Sequence, residues 1–158
     1  MNDAHARAFL RALLDQSKGR TAVYVPLPGV LPATGLSQVD ASALLKDLSA
    51  LQWIHVRGQT VAASKPAVAF AIDWTLANGV LNAILQAGTG GPIASVEEEA
   101  ALAAIPLPRD RAKVLLNELI LLGLVSRGLK WETQAPLIQL LQPGRDYLRT
   151  GQPPARID

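Results

Sequence analysis

The chain has 158 residues, 49% apolar and only 4% aromatic, with no cysteine and 15 basic against 13 acidic side chains. The apolar share calls for a packed core built from Leu, Ile, Val and Ala, while the lack of cysteine excludes disulfides, thiolate metal sites and cysteine nucleophiles. No apolar run reaches the ~18 residues of a membrane span, and a net charge of +2 permits nucleic-acid binding without indicating it.

Asp3 to Gln16 is predicted as the first helix. Phe9, Leu10, Leu13 and Leu14 fall at helical spacing, Asp3 suits the N-cap, and Gly19 suits the left-handed residue that ends it. Thr21 to Val25 reads as a short strand. The three prolines of PLPGVLPATG argue against a regular helix there, leaving one short turn near Val30 to Ala33. Ser37 opens the next helix, with Asp40 completing a weak capping box and Ala41, Leu44, Leu45, Leu48 and Leu51 forming its core stripe. Trp53 to Val56 and Thr60 to Ala63 read as strands joined by a turn at Arg57-Gly58-Gln59. Lys65-Pro66 is expected to break any element at the join, whose apolar stretch Ala67 to Ile72 suggests that two halves pack together.

Thr75 to Gln86 starts a second series, ending with Gly90 where the first ended with Gly19. The glycine cluster Gly88 to Gly91 lacks the Gly-Lys-Ser/Thr ending of a P-loop and reads as a turn. Pro92-Ile93-Ala94 stands where the first short strand stood. Ser95-Val-Glu-Glu98 reads as a capping box opening the helix SVEEEAALAAI, its acids in the first turn where the dipole favours them. Pro108 opens the next helix. Leu124-Val125, Arg127-Gly128 and Leu129 to Thr133 repeat the strand, turn and strand. Pro136 to Leu141 continues as strand or short helix, Asp146 to Arg149 makes a last helical turn, and disorder is expected after Gly151.

The two series repeat at a fixed spacing. Leu44, Leu45, Leu48 and Leu51 recur as Leu115, Leu116, Leu119 and Leu122, 71 residues later in each case (115 − 44). The expectation is a mainly α chain with short β-hairpins, formed by internal duplication into domains at residues 1–70 and 71–150, with a disordered tail at 151–158. Helix, short strand, helix, helix and hairpin is an order that resembles the winged helix of the helix-turn-helix class. LLNELILLGLVSRG resembles that family's third helix leading into its wing, and LLQPGRDYL resembles its frequent Leu-Thr-x-x-Gly-Arg-x-Tyr-Leu ending, one residue short and with Gln142 for the threonine. The resemblance covers about residues 1–64 and 75–149. Tandem winged helices include transcription regulators, replication initiators, and adaptors that do not read DNA, such as the ScpB and MukE partners of SMC-type complexes.

That resemblance implies duplex DNA as partner, with an adaptor role as the alternative. At 100° per residue, Arg109, Lys113 and Asn117 share one exposed stripe of the third helix of the second copy, and Gln38, Ser42 and Lys46 share the matching stripe of the first. Donors and acceptors placed there can meet base edges. Arg57, Arg127 and Lys130 near the hairpin turns, with Arg145, are the expected phosphate contacts. Val114, Ile120 and Leu121 lie off the core stripe where the first copy has Ala43, Ser49 and Ala50. They are therefore expected at an interface, most simply that of a homodimer. His5 and His55 are far apart and lack acids in a recognisable spacing, and no metal-ligand spacing is present. A non-enzymatic, cofactor-free protein is expected, cytoplasmic and nucleoid-associated if it binds DNA.

Overall fold

The computed structural model describes residues 1–88 and 94–154. The chain folds as two compact units, Met1–Ile72 and the stretch from Asp73 onward. The expected Gly88 to Gly91 turn, the Gly90 counterpart of Gly19 and the Pro92-Ile93 strand fall wholly or largely outside the described residues, as do the last four residues of the expected disordered tail. Among the described residues, no single helix is long and apolar enough to cross a membrane.

The first unit opens with α1 (Asp3–Gln16). Its cap is Asn2 rather than Asp3: the Asn2 side chain accepts from the amides of Ala4 and His5, at 3.0 and 3.3 Å. Asp3 is a first-turn acid on the favourable end of the helix dipole. Ala6, Phe9, Leu10, Leu13 and Leu14 are fully buried and form the centre of the core. The expected strand shrinks to β1 (Val25–Pro26), because Ala22 turns to a left-handed φ of 59° before it. PLPGVLPATG is more helical than expected. It forms α2 (Leu27–Val30) and then a 3-10 turn at Leu31–Thr34, each with a proline in its first turn, where a missing N–H costs no bond. In α3 (Gln38–Ala50) the Ser37 hydroxyl accepts from the Asp40 amide at 3.1 Å and donates to its carboxylate at 2.6 Å. Ala41, Leu44 and Leu48 are buried, but Leu51, expected in the stripe, caps the helix and is 49% exposed.

Strands β2 (Ile54–Arg57) and β3 (Thr60–Ala63) leave only Gly58 and Gln59 in the turn. The sheet is antiparallel in the order β1-β3-β2, which makes β2 an edge. Lys65-Pro66 starts a helix instead of breaking one. In α4 (Lys65–Ala71) the proline again sits in the first turn. Phe70 on α4 packs at 4.7 Å from Trp53, and the Arg7 guanidinium of α1 lies 4.5 Å from its ring while donating to its carbonyl.

The second unit follows the same order. Asp73 caps α5 (Trp74–Ala87) by accepting from the amides of Thr75 and Leu76. The expected capping box at Ser95 to Glu98 is absent. Ser95–Glu97 is β4, its backbone paired with β6, and α6 (Glu98–Ala104) begins only after it. Pairing with a strand some forty residues away overrides the local helix signal. α7 (Arg109–Leu121) follows Pro108. The hairpin is longer than expected. Arg127-Gly128 lies inside β5 (Val125–Leu129), the turn is made by residues 130–135, and the returning strand is β6 (Pro136–Leu140). The final helix, α8 (Gln142–Thr150), is longer than the single turn expected. Its Gly144 lies so close to β5 that a Cβ there would stand 2.4 Å from the Leu124 carbonyl oxygen. Tyr147 on α8 packs at 4.9 Å from the Trp74 ring, tilted by 43°, and donates to the Trp74 carbonyl at 3.2 Å; burial pushes its hydroxyl pKa up.

Element starts recur at one spacing: Asp3 and Trp74, Gln38 and Arg109, Ile54 and Val125 are each 71 residues apart (74 − 3, 109 − 38, 125 − 54). After the hairpin the spacing is 77, from Lys65 to Gln142 (142 − 65). Phe70 and Tyr147 also stand 77 apart, and each returns an aromatic ring to the first helix of its unit.

Candidate interaction site

On α7 the expected exposed stripe is present in part. Arg109 and Lys113 are exposed and Asn117 is half-buried. Three of the cations on and beside this face are already paired. Arg109 makes a two-pronged bond to Glu99, at 2.6 and 2.7 Å. Arg127 on β5 reaches Glu98 at 2.6 Å and Asn117 at 3.4 Å. Lys130, just past β5, stands 3.6 Å from Glu97. Thus three consecutive glutamates, spanning the end of β4 and the start of α6, each hold one of three cations expected to contact DNA. The Arg109 hydrogen bond, helped by the field of Arg109 and Lys113, holds the Glu99 carboxyl below the usual range, and Glu99 in turn raises Arg109. Among the described residues Lys113 has no carboxylate within ion-pair distance, and Arg145 on α8 is half-buried.

The matching face of the first unit differs. Gln38, Ser42 and Lys46 are all exposed, but the Ser42 hydroxyl donates back to the Gln38 carbonyl at 2.9 Å. Positions 71 residues before Glu97, Glu98 and Glu99 are Pro26, Leu27 and Pro28, so no acids stand at the matching positions there. Lys46 and Arg57 have no carboxylate partner among the described residues, and the Arg57 guanidinium rests over the Tyr24 ring at 4.6 Å. Formal charge follows the same division: +3 over residues 1–72 (7 − 4) and −1 over residues 73–158 (8 − 9).

Of the expected interface residues, Val114 is buried, while Ile120 and Leu121 are half-buried. The most exposed apolar surface of the second unit lies elsewhere, on its hairpin. Trp131 is 90% exposed and Leu129 is 61% exposed. Neither residue stands out in the sequence once both are assigned to a returning strand. A tryptophan set between Lys130 and Glu132 in a chain with three tryptophans is the signal that could have found them. Glu97 to Glu99, expected only as dipole-favoured acids, face a matching number of cations.

Compared with protein-family models, with curated proteins and with solved structures, the chain matches none.

Proposed function

We propose that the chain is a tandem winged-helix protein arisen by duplication, and that it serves as a protein-interaction adaptor whose second unit contacts its partner through the hairpin. Recurrence of helix starts at a spacing of 71 up to the hairpin, and of the sheet orders β1-β3-β2 and β4-β6-β5, supports the duplication. The observation that carries the adaptor reading is the pairing of Arg109, Arg127 and Lys130 with Glu99, Glu98 and Glu97. Cations that already hold carboxylates neutralise few phosphates and so displace few of the counterions condensed on DNA, the release that dominates DNA affinity. Beside it, Trp131 and Leu129 stand in water, and exposed aromatics are the residues that anchor protein interfaces. A photo-crosslinking amino acid at position 131, expressed in the native cell, tests this. One defined protein adduct that disappears when the crosslinker is moved to exposed Asp3 supports the adaptor. Adducts to nucleic acid alone overturn it.

The second reading, DNA binding, draws on the first unit. Lys46 and Arg57 are without carboxylate partners among the described residues, and residues 1–72 carry +3. A duplex titration across salt tests it. A steep salt slope that Lys46→Ala with Arg57→Ala flattens favours DNA over the adaptor.

A further inference from the structure

The first unit has an open sheet edge beside a polar cleft, and the two features fit one kind of ligand. In the order β1-β3-β2, only β3 pairs with β2 among the described strands. The Ala63 carbonyl accepts from Ala22, on the β1 side of β3. In an antiparallel ladder a residue turns both its backbone polar groups to one side, so Ala63 faces away from β2, and its partner Ile54 faces away from β3. Alternation puts Val56 in the same orientation. The amide and carbonyl groups of Ile54 and Val56 therefore lie along the outer edge. An open cleft of about 570 Å³ is lined by the β2 residues Ile54, His55, Val56 and Arg57 together with Tyr24 and Ser49. Arg57 is held over the Tyr24 ring with no carboxylate partner among the described residues, and exposed Lys46 lies one helical turn before Ser49 on the same side of α3.

We infer that the β2 edge binds an extended, acidic peptide segment of a partner protein as a fourth strand. This inference rests on the adaptor reading and assigns the first unit a part in it. The alternating amides and carbonyls of Ile54 and Val56 match a peptide strand, as in recognition by strand addition, and do not match a phosphodiester chain. Arg57 and Lys46 complement carboxylates on that strand, and the phenol of Tyr24, the hydroxyl of Ser49 and the imidazole of His55 supply further hydrogen-bonding groups. The second unit differs at the same place. Its edge strand carries Arg127, which is already engaged by Glu98, so the anionic ligand is expected on the first unit alone.

The test uses the full chain, labelled with 15N, and a synthetic octapeptide alternating Asp and Val. The peptide is expected to shift the amide signals of Ile54 and Val56 and slow their hydrogen exchange, and a Lys-Val octapeptide is expected not to. Arg57→Ala should weaken binding about tenfold, as for loss of one charge-assisted bond. Val56→Pro should abolish binding, because it removes an outward N–H that no ladder bond uses. If that variant misfolds by circular dichroism, a peptide N-methylated at alternate residues replaces it and should not bind the parent. Equal binding of the Lys-Val peptide, no binding of the acidic peptide up to millimolar, or shifts of these amides by a duplex alone would each overturn the inference. Loss of this site with crosslinking at position 131 intact would leave the adaptor reading standing, and the reverse pattern would remove the proposed hairpin contact and spare the site.

Discussion

The glutamate strap gives a prediction with a magnitude. Changing Glu97, Glu98 and Glu99 together to Gln keeps their size and removes three negative charges, taking residues 73–158 from −1 to +2 (8 − 6). It frees Arg109, Arg127 and Lys130. If all three then reach phosphates, the slope of log affinity against log salt should steepen by about 2.7, taking roughly 0.9 per neutralised phosphate. Over a fourfold rise in salt that is a further loss of about fortyfold. Fluorescence anisotropy with a labelled duplex at three or four salt concentrations reads both slopes. The parent is expected to show weak binding with a shallow slope, and the variant tighter binding at low salt with the steeper one. A variant slope within about one of the parent's would refute the reasoning, since one full contact is worth roughly that much. The pairs would then be incidental to what this face binds.

Gly144→Ala should cost about 1–3 kcal/mol by overpacking against the Leu124 carbonyl, seen as a lower melting temperature; an unchanged melt would mean that α8 is not seated so close. Glu99 should titrate below the ordinary glutamate midpoint and move up towards it in Arg109→Gln, read by carboxyl-carbon NMR. Because the folded-state value is depressed, the pair's contribution is present above the unfolded pKa and lost as pH falls through the folded one. Equal midpoints in parent and variant would remove Arg109 as the cause. Ile120→Ser with Leu121→Ala gives α7 the residues that stand 71 positions earlier in α3, Ser49 and Ala50; a dimeric parent is expected to become monomeric by light scattering with its helicity kept, and a variant that stays dimeric would place the interface elsewhere.

What the sequence made legible was mostly local. The leucine spacing of α1, most of that of α3 and the cap at Ser37 follow from neighbours three or four residues apart, and the structure has them there apart from exposed Leu51. Prolines mislead at α2 and α4, because a proline in the first turn of a helix starts it, and only tertiary packing says which turn is first. Ser95 to Glu97 carry a strong helix-opening signal, yet their backbone is claimed by β6, whose position depends on a hairpin longer than its counterpart. The three acid–base pairs join β4 and α6 to α7 and the β5 hairpin over ten to thirty-three residues of chain. Helical periodicity cannot see across such a gap, so the stripe on α7 was legible and its neutralisation was not.

The longer hairpin also has a consequence for how such a chain can change over time. The spacing between like elements of the two units is 71 before the hairpin and 77 after it, so the six residues by which the second unit is longer there lie in β5, β6 and the loop between them. Helices that pack into a core cannot lengthen without moving their neighbours. A loop that ends in water can, since doubling its length adds only about 0.6 kcal/mol to the closure cost. Trp131 rides on this adjustable segment. A surface there can be reshaped for a new partner by insertion or deletion while both cores stay as they are. The first unit, with two residues between its strands, has no such slack to offer.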